Sequence, residues 1–213
     1  AGIAEQHAVT LAAGLAKAGY TPVCHLYSTF SQRAADQIIH DVALQNLPVL
    51  FLIDRAGLVG NDGATHHGVF DVALFSGIPN LEIMAPASAQ ELAVMLRWAL
   101  VQKRPILIRY PRTGGALAAH HTPSNIVANR VEKIHQGNGK LAILNFGFLL
   151  GEIEETLKNT PLEKQPTLIN VRFAKGLLKE DLHDIAQHKT VWVIEDSAKR
   201  GGVGEYIAQQ LFE

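Results

Sequence analysis

The chain has 213 residues, of which 47% are hydrophobic and 18% are charged, and this balance is typical of a folded globular protein. Nineteen Lys and Arg stand against twenty Asp and Glu, so the basic field of a nucleic-acid binder or a polybasic membrane surface is absent. The longest apolar runs, such as residues 49–53, are far shorter than the roughly 20 residues of a membrane helix. Cys24 is the only cysteine, which excludes an intrachain disulfide and favours the cytoplasm.

The two ends of the chain predict a fragment of a longer protein. Residues 3–18 have the composition of a helix that ends at Gly19, but no Ser, Thr, Asp or Asn before Ile3 offers the usual cap. Residues 204–213 have the pattern of an amphipathic helix that stops at the last residue. We therefore expect the chain to be truncated at both ends.

Between these ends, short apolar runs alternate with helical stretches. The predicted strands are residues 22–27, 49–54, 81–85, 106–110, 141–146, 167–173 and 191–195. The predicted helices are residues 30–45, 89–102, 150–159, 179–188 and the C-terminal stretch. Most of the strands are continuously apolar, which is typical of strands that helices cover on both faces. The pattern predicts an α/β fold with parallel sheets flanked by helices.

Two irregular stretches interrupt this alternation. Residues 56–80 predict a loop with five glycines, and a loop of that length inside a domain is usually functional or disordered. Residues 114–138 contain the adjacent Gly114 and Gly115, the paired His120 and His121, a proline and several asparagines, which predicts an interdomain linker.

Polar side chains crowd the carboxyl ends of the predicted strands, the edge at which open α/β sheets bind ligands. Arg55, Arg109 and Arg112 lie there, and arginines at one edge can grip a phosphate or a carboxylate. Solvated charges at strand ends are the alternative. Glu5 opens a helix, where the helix dipole alone favours a carboxylate. Residues 27–33 lead from a strand into a helix, and an ordinary helix cap is the alternative for them.

The long loop carries further candidates. Asp62 and His66 can orient hydroxyl groups or move protons, while a glycine-rich surface turn is the alternative. His66 and His67 are adjacent, but no HExxH or CxxC motif accompanies them, so we expect no metal site. Residues 201–204 lack the spacing of a dinucleotide-binding turn and predict a tight connection between a strand and a helix.

Six short motifs occur in one order along the chain. They are Gly2-Ile3-Ala4-Glu5-Gln6-His7-Ala8, Tyr27-Ser28-Thr29-Phe30, Gln32-Arg33-Ala34 with Asp36-Gln37, Asp54-Arg55-Ala56-Gly57, Asp62-Gly63 with Thr65-His66, and Arg109-Tyr110-Pro111-Arg112. With them the chain resembles the 1-deoxy-D-xylulose 5-phosphate synthase family, thiamin-diphosphate enzymes related to transketolase. The resemblance covers essentially the whole chain and is looser after the linker, where residues 141–147 match best.

This resemblance implies a transferase that joins pyruvate to D-glyceraldehyde 3-phosphate, with loss of CO2, to give 1-deoxy-D-xylulose 5-phosphate, a precursor of isoprenoids, thiamin and pyridoxal phosphate. It implies a truncated pyrimidine-binding domain at residues 1–113, a linker at 114–138 and a truncated transketolase C-terminal domain at 139–213. In the family, Mg2+ and the cofactor's diphosphate are bound by an N-terminal domain with a GDG-type motif, which this chain lacks. We therefore expect a homodimeric enzyme whose isolated fragment binds no metal and is inactive.

The resemblance also assigns roles to residues of the matching motifs. Glu5 would hydrogen bond a nitrogen of the cofactor's pyrimidine ring and so activate the internal base, and Phe30 would stack on that ring. Arg55 and Arg112 would grip the phosphate of the aldehyde substrate, whereas Arg109 receives no role. The residues that would orient substrate oxygens are Tyr27, Arg33, Asp62 and His66.

Two alternatives stay open. Within the same chemistry, the chain is the second subunit of a split transketolase or 2-oxo acid dehydrogenase, although residues 27–30 and 54–57 suit the synthase family better. In another class, it is a noncatalytic α/β module that acts only in assembly, although the catalytic positions are retained.

Overall fold

The computed structural model describes residues 2–112 and 125–212. The first of its two sheets has four parallel strands in the order β1-β2-β4-β3. They are β1 (Val23–Tyr27), β2 (Leu50–Asp54), β3 (Glu82–Met84) and β4 (Ile106–Arg109). All four lie within predicted strands. The inner strands β2 and β4 are buried along nearly their whole length, which explains why their sequences do not alternate.

Two long helices pack beside this sheet. In α1 (Glu5–Lys17), Val9 and three alanines form the buried stripe of an amphipathic helix. The shorter helical segments between them, taken in chain order, are α2 (Ser28–Ser31), α3 (Ala35–Gln37) and α4 (Asp71–Phe75). The second long helix, α5 (Ala89–Leu100), begins at Ser88, whose side chain accepts a hydrogen bond from Glu91 N at 3.0 Å.

The predicted helix at residues 30–45 begins earlier and is irregular. It starts with α2 directly after β1, and its middle is a 3-10 turn at Gln32–Ala34 followed by α3. It ends in a π-helical turn at Ile38–Ala43. This wider turn buries Ile38, Val42 and Ala43 together, so packing has overridden the regular helical period.

The long loop at residues 56–80 contains more structure than the sequence predicts. Two 3-10 turns, Gly60–Asp62 and Ala64–His66, are followed by α4. The prediction of an irregular loop over this whole stretch is therefore wrong. The helix α4 has only five residues, and a helix that short shows too little apolar periodicity to be recognised.

The second sheet has the strand order β5-β7-β6-β8, with β5 antiparallel to β7 and the other neighbours parallel. Its elements are β5 (Glu132–His135), β6 (Leu141–Phe146), α6 (Leu150–Leu157), β7 (Thr167–Asn170), α7 (Lys179–Ala186), β8 (Thr190–Glu195) and α8 (Val203–Phe212). The predicted α/β class is confirmed, with this sheet mixed. No helix in the described ranges is long and apolar enough to cross a membrane.

Strand β5 corrects the prediction of a linker at residues 114–138. Its sequence, Glu-Lys-Ile-His, is short and mostly polar, so it lacks the apolar run that identifies the other strands. Its pairing with β7 places it at the edge of the second sheet. Residues 113–124, with most of the predicted linker's glycines and histidines, lie outside the described residues.

The two sheets are joined where β3 and β7 end. Ala85 N donates a hydrogen bond to Arg172 O at 3.0 Å, and Ala174 N donates one to Ile83 O at 2.9 Å. Beside this junction, Glu91 of α5 forms a buried ion pair with the Arg172 side chain. Apolar side chains from both sheets pack into one continuous core.

Candidate active site

The carboxyl ends of β1, β2 and β4 meet at one edge of the first sheet, as the sequence predicts. Arg55 directly follows β2 and has a φ of 59°, a left-handed conformation that is strained for a residue with a side chain. Asp54 stabilises this turn, because its Oδ1 accepts a hydrogen bond from Arg55 N at 2.7 Å. The same carboxylate pairs with the Arg55 guanidinium group. The strained backbone therefore directs a charged group towards the sheet edge.

An aromatic stack lies beside Arg55. The guanidinium carbon is 3.8 Å from the centre of the Tyr27 ring. Tyr27 stacks nearly parallel on Phe30 with 5.3 Å between ring centres, and His66 meets Phe30 edge-on at 5.4 Å. Such cation and ring contacts stabilise the arrangement beyond simple burial. Four predicted site residues, from β1, the end of β2, α2 and the long loop, are thus in contact.

Asp62 joins the two arginines that the sequence assigns to phosphate binding. Arg55 Nε and Arg112 Nε each lie 3.4 Å from Asp62 Oδ2. The side chains are only partly buried, with 20% of Arg55, 41% of Arg112 and 22% of Asp62 exposed. Burial opposes the charge on Arg55, but Asp54, Tyr27 and Asp62 together outweigh it and raise the pKa of Arg55. Both guanidinium groups are therefore within reach of solvent.

The long loop is closed at its base, which we define as Ala56, Gly57 and Gly68. Gly57 and Gly68 exchange two backbone hydrogen bonds of 2.8 Å. A Cβ atom at Gly68 would lie 2.2 Å from the backbone oxygen of Arg55 and 2.5 Å from the Ser28 side chain, so only glycine fits between them. The loop base therefore fixes the loop with Asp62 and His66 directly against Arg55 and α2.

The structure does not bring Glu5 and Arg33 into this cluster. Glu5 lies in the first turn of α1, and its Oε2 is buried with no hydrogen-bond partner among the described residues. Arg33 lies on the exposed side of the turn at Gln32–Ala34. No hydrogen bond, ion pair or ring contact in residues 2–112 and 125–212 joins either side chain to Asp62 or the aromatic stack. The helix α1 does pack against the turn that carries Arg33.

Arg109, to which the sequence assigns no role, is fully buried behind the site. Its Nε donates to Asp71 Oδ2 at 2.9 Å, and a terminal nitrogen donates to Asp196 Oδ1 at 2.5 Å. Burial disfavours its charge, but these two carboxylates outweigh the cost and raise the pKa of Arg109. Sequence reasoning missed Asp71 and Asp196, because neither belongs to a matching motif and Asp196 is 87 positions away.

Comparison with known proteins identifies the family. Residues 1–115 match the family described as "Transketolase, pyrimidine binding domain". The chain belongs to this transketolase family. It is 47% identical to the 1-deoxy-D-xylulose-5-phosphate synthases of Haemophilus ducreyi and Pasteurella multocida, in each case over 98% of this chain and 33% of the relative. The chain thus spans about a third of the length of these curated relatives, and the resemblance that the motifs indicate is confirmed.

Two solved transketolase structures share the fold. A split-gene transketolase, described as an inactive β4 tetramer, matches with a TM-score of 0.87 and 25% identity over 99% of this chain and 69% of that one. A transketolase from Campylobacter jejuni matches in fold, with a TM-score of 0.66 and 18% identity over 91% of this chain and 36% of that one. Membership of the transketolase family indicates a thiamin-diphosphate-dependent function.

Proposed function

We propose that the full-length protein condenses pyruvate with D-glyceraldehyde 3-phosphate, with loss of CO2, to give 1-deoxy-D-xylulose 5-phosphate. The observation that carries this proposal is the convergence of Arg55 and Arg112 on one oxygen of Asp62. Two cationic forks at one point suit a phosphate group, which distinguishes the phosphorylated aldehyde from an unphosphorylated one. The curated relatives that carry this enzyme's name support the assignment.

The residues present fit the pyrimidine ring of thiamin diphosphate. The buried Glu5 Oε2 lacks a partner in the described residues, and a buried carboxylate oxygen without a partner is costly. A ring nitrogen of the cofactor would supply that partner, and Phe30 would offer its half-buried ring for stacking. When bound, the cofactor supplies the carbon nucleophile and takes up the electron pair that CO2 leaves behind. Mg2+ and the diphosphate would be held by a part of the protein outside this chain.

The remaining predicted residues would orient the substrates. His66 Nδ1 lies 3.0 Å from Thr65 Oγ1, which fixes the ring and leaves Nε2 to hold or move a proton at a substrate oxygen. Asp62 and Tyr27 contact the Arg55 guanidinium group from two sides, so they would position it for binding the substrate phosphate. Arg33 would join this group only in the assembled enzyme, because it lies apart from Asp62 here.

Three organisational expectations belong to the same proposal. Residues 1–113 would form the pyrimidine-binding domain and residues 139–213 a transketolase C-terminal domain, and the family match over residues 1–115 supports the first of these. A homodimer is proposed from the resemblance, and the related split-gene transketolase is described as a tetramer. We propose a cytoplasmic location, based on the cysteine content.

The test is an assay of the full-length protein with pyruvate, D-glyceraldehyde 3-phosphate, Mg2+ and thiamin diphosphate. We expect formation of 1-deoxy-D-xylulose 5-phosphate and release of CO2 in equal amounts, and no product when the cofactor is left out. Ketol transfer without release of CO2 would instead support the split transketolase. A protein that turns over neither set of substrates would favour the noncatalytic module.

A further inference from the structure

We propose that Asp196, in the segment that follows β8, is a positioning residue for the candidate active site and acts through Arg109 and the loop base. The inference rests on the function proposed above and adds a contribution from the second sheet. No matching motif contains Asp196, and it does not contact Asp62, His66 or the phosphate-binding arginines among the described residues.

Arg109 links three separate segments in the interior. Besides its ion pairs with Asp71 and Asp196, it donates hydrogen bonds to the backbone oxygens of Gly68 at 3.4 Å and of Asp196 at 3.3 Å. Its side chain is 1% exposed, as against 19% for Asp196 and 0% for Asp71. Gly68 belongs to the loop base and Asp71 begins α4. Arg109 therefore ties one end of the long loop to the second sheet.

Asp196 also contacts the other end of the loop. A Cβ atom at Gly57 would lie 2.3 Å from Asp196 Oδ2, so the carboxylate packs directly on the Gly57 backbone. Close by, Ala198 N donates a hydrogen bond to Val69 O at 2.7 Å. The segment after β8 thus contacts the long loop on both sides of its base, through Gly57 and through Val69.

The contacts inside the candidate site are too weak to fix the loop by themselves. The pairs of Asp62 with Arg55 and Arg112 are long and partly exposed, and exposed ion pairs add little stability. By contrast, the ion pairs of Arg109 with Asp71 and Asp196 are shorter, at 2.9 and 2.5 Å, and the guanidinium group is buried, and charge-assisted hydrogen bonds of this kind are the strong ones. The position of Asp62 and His66 relative to Arg55 therefore depends on Asp196.

The chain contains a matched control for this idea. Glu91 is a buried carboxylate that, like Asp196, pairs with a buried arginine and joins the two sheets, in this case through Arg172. It has no contact with the long loop in the described part of the chain. Asp196→Asn and Glu91→Gln each remove one negative charge from an ion pair between the sheets. Of the two residues, only Asp196 contacts the loop base.

The first measurement is hydrogen exchange of the full-length protein, which does not depend on enzyme activity. In Asp196→Asn, we expect the backbone amides of Gly57 and Gly68 to exchange roughly tenfold faster or more. In Glu91→Gln, these two amides should exchange as in the wild type. Unchanged exchange in Asp196→Asn, or the same acceleration in both variants, would overturn the proposal, even if the wild-type enzyme makes the predicted product.

The second measurement is kinetic and uses the proposed reaction. Asp196→Asn should lower kcat/KM for D-glyceraldehyde 3-phosphate roughly 10- to 100-fold, because a small displacement of positioned groups costs that much. Unphosphorylated glyceraldehyde should lose less, since it does not need the arginine pair. Equal loss for both aldehydes would show a general structural role and contradict the proposal. A wild-type enzyme without synthase activity would refute the proposed function and leave the exchange result standing.

Arg109→Lys tests the same ion pair by changing the arginine instead of Asp196. A lysine keeps the charge but lacks the fork that reaches two carboxylates and Gly68, so the variant should reproduce the faster exchange and the preference for the unphosphorylated aldehyde. If both variants lost the entire fold while Glu91→Gln kept it, the cluster would hold the core rather than the loop, and the proposal would be wrong.

Discussion

Arg109 and Arg112 belong to one short motif, yet they differ in burial and in how closely carboxylates pair with them. Arg109 is 1% exposed and bonds two carboxylates at 2.9 and 2.5 Å, whereas Arg112 is 41% exposed and lies 3.4 Å from Asp62. A buried charge is costly unless it is fully paired, so Arg109 cannot exchange its partners for a ligand. An exposed ion pair is held weakly, so Arg112 can exchange Asp62 for a ligand. Burial therefore separates the structural arginine from the one suited to bind substrate.

The largest expected effect is the loss of stability on replacing the buried Arg109. Arg109→Ala leaves Asp71 and Asp196 without their partner, and breaking a buried pair in this way costs roughly 3–5 kcal/mol. Urea-induced unfolding of the full-length protein measures it. Arg112→Ala is the control and should cost less than about 1 kcal/mol. Similar losses in the two variants would erase the distinction between the arginines.

Glu5 represents a third situation, a buried carboxylate oxygen without a partner in the described residues. Glu5→Ala should lower turnover by ~10²-fold or more, because it removes proton activation. The fold should stay intact, since no partner is left unpaired. Exchange of the cofactor's thiazolium proton should slow in parallel. Gln6→Ala, at the exposed neighbouring position, is the control, and an unchanged exchange rate in Glu5→Ala would move the activating role elsewhere.

The proposed phosphate binding by the partly exposed Arg55 and Arg112 is tested by replacing each arginine separately. A hydrogen bond to a charged group contributes ~1.5–3 kcal/mol, so Arg55→Ala or Arg112→Ala should lower kcat/KM for D-glyceraldehyde 3-phosphate by roughly 10- to 150-fold. The reaction with pyruvate alone should stay within a few-fold of the wild type.

Two controls accompany that measurement. Unphosphorylated glyceraldehyde should lose much less than the phosphorylated substrate in both variants. Arg104→Ala removes a partly exposed arginine that pairs with Glu82 and lies outside the site, and it should leave both aldehydes unaffected. If both aldehydes suffered equally in Arg55→Ala and Arg112→Ala, these arginines would be structural.

The smallest effect concerns Glu82, which combines features of the two cases. It is buried, but its partner Arg104 is 36% exposed and 3.3 Å away. Burial raises the pKa of Glu82 above its ordinary value of 4.5, and Arg104 offsets part of this shift. Because the folded state holds the proton more tightly, the contribution of Glu82 to stability is largest below pH 4.5 and declines as pH rises through the folded pKa.

Glu82→Gln removes this titration. The unfolding free energy of the wild type, relative to that of the variant, should therefore decrease as pH rises from about 4.5 towards neutrality. Urea unfolding of both proteins at several pH values provides the measurement. A difference that increases with pH would mean that Arg104 outweighs burial at this position.

Much of the fold follows from local sequence, and the failures have physical causes. Continuous apolar runs are sufficient to locate the inner strands, because helices bury them on both faces. Strand β5 has no such run, and only its pairing with β7 makes it a strand. The helix predicted at residues 30–45 is broken into different helical turns because packing of Ile38 and its neighbours overrides the regular period.

The candidate site shows the same division. The order of the motifs predicts the cluster of Tyr27, Phe30, Asp62 and His66, because each motif lies at a strand end or in the long loop. The network of Arg109 was beyond prediction, since its meaning depends on burial and on Asp196 at a distance of 87 positions. The roles of all the site residues stay predictions, and in the described residues neither Glu5 nor Arg33 touches the cluster.

The closed loop base has a consequence for protein engineering. Gly57 and Gly68 are fixed by their mutual hydrogen bonds and by tight packing against Asp196, Arg55 and Ser28, whereas Leu58 just beyond the base is 75% exposed. A segment whose two ends are rigid and adjacent can be exchanged as a cassette, because a new sequence between the ends pays only the modest entropy of loop closure. Transplanting residues 58–67 from a relative should therefore alter substrate preference while both glycines are kept.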